Sequence, residues 1–106
     1  MCDQAKTRAL NDAFRQTLSG GRVVTTASLS DRSDLSLILD RVRQFTDFTE
    51  DNDPYGEHDF GAIDHAGERL FWKIDYYDRS LNQGSPDPSD PAVTTRVMTI
   101  MLASEY

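Results

Sequence analysis

The stretch that decides the fold is DPYGEHDFGAIDHAGERLFWKIDYYD, residues 53–78, which holds both histidines and the only tryptophan. Two of its segments, residues 58–64 and 68–77, carry the alternating, aromatic-rich pattern of β-strands. The three residues between them end in Gly67, which suits the left-handed position of a three-residue hairpin loop. The stretch therefore predicts an antiparallel β-hairpin.

A three-residue loop fixes the register of this hairpin, because it pairs Asp64 with Glu68. Side chains alternate along a strand, so one face becomes apolar and is predicted to meet the core. That face carries Phe60, Ala62, Leu70, Trp72, Ile74 and Tyr76, with His58 at its frayed end. The outer face is predicted to carry Asp59, Gly61, Ile63, Arg69, Phe71, Lys73, Asp75 and Tyr77. In this register Asp59 lies opposite Lys73 as a cross-strand ion pair.

Two helical patterns precede the hairpin, on either side of a predicted strand at residues 22–29. The first, within residues 5–21, has Gly20 and Gly21 as a left-handed stop. Its apolar face is Leu10, Ala13, Phe14, Thr17 and Leu18. The second lies within residues 30–48, and its apolar stripe is Leu35, Ile38, Leu39, Val42 and Phe45. Its candidate N-caps are Ser30, Asp31 and Ser33.

The last segment, residues 92–106, supports two interpretations. Asp90 and Pro91 resemble a helix start, and apolar residues recur at helical spacing, but the many β-branched residues favour a strand. We favour the strand, and its apolar residues on both faces predict a central position. Residues 1–106 are thus predicted to form a single α+β domain. In it, two helices pack on a small antiparallel β-sheet, in the order helix, strand, helix, strand, strand, strand.

The charge of the chain is uneven. The formal net charge is -7, and residues 47–90 hold twelve acidic but only three basic residues. This asymmetry disfavours direct binding of nucleic acid, which requires a basic face. It favours a protein partner with a basic surface, or serves solubility alone.

Composition also bounds the compartment and the chemistry. No apolar run reaches the roughly 18 residues of a membrane span, the N-terminus has no secretory signal pattern, and the single Cys2 cannot form an internal disulfide. These features predict a cytoplasmic protein. Residues 51–62 begin like an EF-hand loop, but Ala62 stands where the loop needs a bidentate glutamate. No metal-binding, nucleotide-binding or hydrolase motif occurs, so we expect no metal, no cofactor and no catalytic residue.

The strings DPYGEHDFG, FWKIDYYD and SPDPSDPAVTTRVMTIMLASEY carry a resemblance that covers nearly the whole chain. The sequence resembles a family of small bacterial proteins known only as a domain of unknown function. Genes of this kind often lie on plasmids and other mobile elements, so the resemblance implies accessory biology. It implies no activity, cofactor or catalytic residue.

The leading functional prediction is a non-catalytic, acidic protein-binding module. Its concrete form is an anti-defence inhibitor, anti-CRISPR or anti-restriction, that occupies a basic nucleic-acid-binding surface of a host complex. The candidate contact residues are Asp51, Asp53, Tyr55, Glu57, Asp59, Arg69, Phe71, Lys73, Asp75 and Tyr77. Two alternatives stay open. One is a small enzyme or ligand-binding domain that uses His58, Asp59, Lys73 and Asp75, and the other is a self-associating structural protein, such as a homodimer formed through the outer face of the hairpin.

Overall fold

The computed structural model describes residues 3–106. In chain order the elements are α1 (Gln4–Thr17), β1 (Arg22–Thr25), α2 (Ala27–Ser30), α3 (Leu35–Arg43), β2 (Phe60–His65), β3 (Glu68–Tyr77), β4 (Thr95–Leu102) and a 3-10 helix, η1 (Ala103–Glu105).

The four strands form one mixed sheet in the order β1-β4-β3-β2. β2, β3 and β4 are antiparallel neighbours, whereas β1 runs parallel to β4. The predicted α+β class is confirmed, but two details are wrong: the sheet is mixed, and residues 3–106 contain three α-helices instead of two. A parallel pair of strands needs a long connection. In the sequence, α2, α3 and the hairpin lie between β1 and β4, so the chain is long enough for these two strands to be parallel neighbours.

The β2–β3 hairpin is confirmed, but its predicted register is wrong by one residue. His65 pairs with Glu68 across a two-residue turn formed by Ala66 and Gly67. Both turn residues have positive φ, 54° and 80°, as a type I′ turn requires. The three-residue loop was predicted because only Gly67 was expected in the left-handed region. Ala66 also adopts this conformation although it carries a side chain, so two residues are enough for the turn.

The one-residue shift turns every side chain of β2 to the opposite face. Gly61 and Ile63 face the core, opposite Trp72 and Leu70, whereas Phe60 and Ala62 lie on the outer face. The assignment of β3 to its two faces is confirmed, because its core-facing residues are buried: Leu70, Trp72 and Ile74.

The hydrophobic core lies between the helices and one face of the sheet. Its cluster contains residues of α1, α2, α3, the α3–β2 connection and three strands: Phe14, Leu29, Ile38, Val42, Phe45, Ile63, Leu70, Trp72, Ile74, Met98 and Ile100. All three α-helices therefore cover the same side of the sheet, and the fold has two layers.

The buried face of α1 is more polar than predicted. It consists of Thr7, Asn11, Phe14 and Arg15. Of the predicted apolar face, Ala13 and Thr17 are exposed. The helix ends at Thr17 and is capped by Leu18 in the left-handed region (φ 57°), so the predicted glycine stop lies beyond its end.

Residues 22–34 also differ from the prediction. The strand ends at Thr25, and the next residues form α2, which buries Leu29. α3 starts at Leu35, after Asp34 and not after any of the three predicted N-caps. The side chain of Asp34 makes no cap bond, because it binds Arg32 instead.

The strand interpretation of the last segment is confirmed. β4 lies at the centre of the sheet, between β1 and β3. Met98 and Ile100 are fully buried in the core, and Met101 on the opposite face is only 4% exposed, as expected of a central strand with two apolar faces. Among the helices described in residues 3–106, none is long and apolar enough to cross a membrane.

Candidate functional site

Asp53 organises the acidic connection between α3 and β2. Its side chain is 5% exposed, and its Oδ1 accepts hydrogen bonds from the backbone N–H groups of Glu57 (3.1 Å) and His58 (3.0 Å). Gly56 and His58 both have positive φ, 65° and 55°, so the chain reverses sharply around this carboxylate. Asp53, predicted to face a partner, is therefore a structural residue of the turn.

His58 fastens this turn to α1. Its Nδ1 lies 2.8 Å from Oδ1 of Asp12, and its Nε2 lies 3.6 Å from Oδ2 of Asp53. The imidazole stacks on Phe48 at 3.8 Å between centroids. Arg15, which is 2% exposed, donates to the same Asp12 oxygen at 3.0 Å. His58 is thus held on three sides, and it lies on the helix side of the sheet.

A second polar network surrounds Asn11. Its Nδ2 donates to the backbone oxygen of Glu57 (2.9 Å) and to the Tyr76 hydroxyl (2.7 Å), and its Oδ1 accepts from Arg96 Nε (2.7 Å). The Tyr76 hydroxyl in turn donates to Oε1 of Glu57 at 3.0 Å. Burial raises the pKa of Tyr76 well above its usual value. The side chain of Glu57, another predicted contact residue, is therefore also used inside the fold.

Carboxylates are crowded where this connection enters the sheet. Burial raises the pKa of Asp59, and the negative charges of Glu57, Asp53 and Asp75 raise it further. Asp75 belongs to β3, and its side chain is on the outer face of the sheet. The register places Asp59 opposite Ile74, on the helix side of the sheet. The crowded carboxylates therefore belong to the acidic connection, and Asp75 is the one of the four that lies on the outer face.

The outer face of the sheet has no α-helix packed on it within residues 3–106, because all three helices belong to the core on the other side. We call this surface the open face. It carries Val24, Phe60, Ala62, Phe71, Lys73, Asp75, Tyr77, Val97, Thr99 and Met101. At one end Tyr106 lies against Phe60 and Phe71, with ring centroids 6.0 and 5.5 Å away. Val24 is 44% exposed, and the other residues of this surface are half-buried except Met101, which is buried.

Lys73 and Asp75 form an ion pair at the middle of the open face. Nζ of Lys73 lies 2.6 Å from Oδ2 of Asp75, and this hydrogen bond raises the pKa of Lys73. The predicted cross-strand pair of Asp59 with Lys73 is wrong, because Phe60 is the residue opposite Lys73. The cause is again the one-residue difference in register.

The remaining predicted contact residues are exposed. Tyr55 is 74% exposed, Asp51 is exposed beside it in the connection, and Arg69 pairs with Asp64 at 3.2 Å near the hairpin turn. Of the ten predicted residues, the open face gathers Phe71, Lys73, Asp75 and Tyr77, and the acidic connection gathers the rest except Arg69.

The residues of the enzyme alternative do not converge. His58 lies against α1, whereas Lys73 and Asp75 are on the open face, with the sheet between them. Three cavities of about 350–500 Å³ occur on the described part of the chain, and none of these three is lined by His58, Asp59 or Asp75. Within residues 3–106, no group of three or more His, Cys, Asp or Glu side chains is placed to hold a metal ion.

Comparison with protein families matches residues 22–105 to the family described as "Protein of unknown function (DUF3768)". The chain belongs to this family. The match confirms the resemblance to a domain of unknown function. No curated protein and no solved structure matches the chain.

The family match covers the whole sheet, since it begins at the first residue of β1. The open face and the acidic connection both lie inside the matched range. α1 lies outside it, and α1 supplies Asn11 and Asp12, the partners of Tyr76 and His58.

Sequence reasoning missed the polar residues of α1. Asn11 and Arg15 are buried and bond across the fold, but on a helix such residues ordinarily face solvent. One signal was available: Thr7, Asn11, Phe14 and Arg15 recur at helical spacing, with polar residues in three of four positions. That pattern identifies a buried polar face only when its partners are known.

Proposed function

We propose that the chain is a non-catalytic protein-binding module, which binds a partner with a basic surface through its open face and the adjoining acidic connection. The observation that carries this proposal is the sheet face without an α-helix, beside a connection whose carboxylates are crowded around Asp59. A large apolar surface bordered by polar groups is typical of a protein contact site.

The side chains of the open face support a protein partner. Phe71 and Tyr77 are aromatic, and Lys73 and Asp75 can pair with charges on a partner. Protein interfaces draw most of their energy from a few aromatic and charged anchors surrounded by apolar contacts. The open face offers both kinds of residue within one strand.

The charge supports a basic partner. The connection between α3 and β2, residues 44–59, carries six acidic residues and no lysine or arginine, so its field attracts a basic group. Glu50 and Asp51 add exposed charge, and neither side chain forms a hydrogen bond or ion pair within the described residues. A negative field of this kind speeds association with a basic surface and makes it sensitive to salt.

The most specific form of the proposal is an inhibitor that occupies a basic nucleic-acid-binding surface of a host complex, in an anti-CRISPR or anti-restriction role. Exposed carboxylates can take the places of phosphates on such a surface. The structure changes which acids are suited to this task, because Asp53 and Glu57 are bonded inside the fold. Glu50 and Asp51 are the better candidates, with Tyr55 and Tyr77 as anchors.

The test is an affinity capture from host-cell extract with purified, immobilised protein, followed by mass spectrometry. We expect a nucleic-acid-binding protein that is retained at about 50 mM salt and released at about 500 mM, or by the polyanion heparin. The double substitution Glu50→Lys and Asp51→Lys should reduce its capture about tenfold or more. The double substitution Asp31→Lys and Asp40→Lys, at exposed positions away from the site, makes the same change of charge and should have no such effect.

A second pair of variants tests the open face. Tyr77→Ala should weaken capture of the same protein, whereas Leu37→Ala, which truncates an exposed apolar residue on α3, should not. The proposal is wrong if no protein shows both salt-sensitive capture and selective loss with the Glu50 and Asp51 variant.

A further inference from the structure

β2 is an unpaired edge of the sheet, since it stands last in the strand order. Antiparallel pairs alternate between residues that exchange backbone hydrogen bonds and residues that do not. Because His65 and Glu68 flank a two-residue turn, they are a hydrogen-bonded pair. Every second residue of β2 before His65 is then also hydrogen-bonded to β3, namely Ile63, Gly61 and Asp59. In agreement, the N–H of Ile74 donates to the backbone oxygen of Asp59 at 2.8 Å. The backbone N–H and C=O groups of the intervening residues, 60, 62 and 64, therefore point away from the sheet.

These outward groups are open to a further strand. Within residues 3–106, no hydrogen bond outside the sheet uses the backbone of residues 60, 62 or 64. β2 has neither a proline nor a lysine, and its pairing with β3 is continuous, with no bulge. Proteins normally protect edge strands by these means. β1, at the other edge, is only four residues long and begins with Arg22.

A cavity of about 500 Å³ lies beside this edge. It is bordered by β2, by the C-terminal end of α3 and by the residues that follow. Its apolar part is formed by Phe45, Ala62 and Ile63, and its charged part by two arginines and two aspartates. The α3–β2 connection therefore leaves part of the space beside the edge unfilled.

The charges around this cavity identify a second copy of the chain as the occupant. Arg41 and Arg69 balance Asp47 and Asp64, so the surface is neutral, whereas the whole chain carries -7. Two copies would repel each other at the acidic connection but can approach here without that cost. A two-fold interface brings the same surface of both copies together, and a neutral surface allows this without net repulsion.

We propose that β2 is an interface between two copies of this chain, in which the two β2 strands pair antiparallel about a two-fold axis at Ala62. Ala62 then faces Ala62 of the partner subunit, and residues 60 and 64 of one copy face residues 64 and 60 of the other. The two sheets join into one, through on the order of six backbone hydrogen bonds. This interface uses the backbone edge of β2. Phe60 and Ala62 also belong to the open face, but the β3 residues of that face take no part, so the interface neither needs nor excludes the proposed function.

The first test is the mass in solution, measured by analytical ultracentrifugation. The full chain should have twice its own mass at about 100 μM. Ala62→Pro removes the outward N–H and should weaken association about tenfold or more, while Ala62→Val, which keeps the N–H, should associate like the unaltered chain. Circular dichroism checks that both variants are folded. A mass of one chain at about 1 mM, or equal association by the two variants, would overturn the interface.

The second test does not need the proline variant to fold. In a Cys2→Ser background, Ala62→Cys places two thiols across the two-fold axis, where Cα atoms about 5.5 Å apart suit a disulfide. Mild oxidation should convert this variant to a covalent dimer. Gln83→Cys in the same background, at an exposed loop position, should remain a single chain. Equal rates of cross-linking for the two positions would show that Ala62 is not at the axis.

Discussion

Replacement of Gly61 by alanine should destabilise the protein, because Gly61 faces the core where two aromatic rings leave no room. A Cβ at this position would lie 2.4 Å from Trp72 Nε1 and 2.8 Å from two ring carbons of Phe45. Neither ring is free to move away: Trp72 is fully buried, and it packs edge-on against Phe45 and Phe48. The added methyl group must therefore displace a packed ring or the strand itself.

The size of the effect follows from two opposing terms. Insertion of a methyl group into a packed core costs about 1–3 kcal/mol. Loss of glycine freedom in the unfolded chain offsets this by about 0.4–1 kcal/mol. We expect a net loss of about 1–2 kcal/mol in the free energy of unfolding. For a domain near this size, that loss lowers Tm by about 5–10 °C.

Urea unfolding followed by the fluorescence of Trp72, the only tryptophan, measures this difference directly. Gly84→Ala is the matched control, because the nearest atom to its Cβ would be the Tyr76 backbone oxygen at 3.9 Å. The result also tests the hairpin register. With a three-residue loop Gly61 would face outward, and its replacement would leave stability unchanged or raise it. Equal stability of the two variants would therefore refute both the packing argument and the register.

Three further predictions concern the polar contacts. Asp53→Ala removes the acceptor of two backbone N–H groups and should cost about 2 kcal/mol in urea unfolding, while Asp51→Ala, at an exposed position, should cost almost nothing. Asn11→Ala removes three hydrogen bonds, of which the one from Arg96 is buried, and should cost about 2–4 kcal/mol by the same assay. The hydrogen bond from Arg32 lowers the pKa of Asp34 from 3.8 to about 2, so its contribution to stability is present above about pH 4 and is lost as the pH falls toward 2. The stability difference between the unaltered chain and Asp34→Asn should shrink over that interval, and a constant difference would contradict the pKa.

The two strands of the hairpin show what the sequence could predict. β3 was assigned correctly because its two faces differ strongly: Leu70, Trp72 and Ile74 on one side, charged and aromatic residues on the other. β2 offers no such contrast. Each of its faces has one large apolar residue, Phe60 or Ile63, beside a small one, Ala62 or Gly61. Its register therefore depended on the turn, and a positive φ at Ala66 leaves no mark in the sequence.

The candidate site was predictable only where local pattern decides it. The alternation of side chains in β3 predicted which residues lie on the outer face. Whether a helix covers that face depended on the positions of the helices, which the sequence did not give. The contacts of Asp53, Glu57 and His58 depended on side chains that are distant in sequence, including Asn11 and Asp12 of α1. Sequence proximity made these residues look like one exposed acidic surface. The fold instead divides them between the interior and the surface.

This division decides how the proposed function must be tested. Charge reversal at Asp53 or Glu57 would disturb the turn and its attachment to α1, so loss of binding there would follow even if no partner touched either carboxylate. Glu50 and Asp51 have no such role, because their side chains make no hydrogen bond or ion pair within the described residues. A binding defect at these two positions, with an unchanged unfolding midpoint, therefore reports the partner itself. If binding is lost only when Asp53 or Glu57 is changed, the acidic residues of this connection serve folding and not binding, and the proposal of a basic partner is wrong.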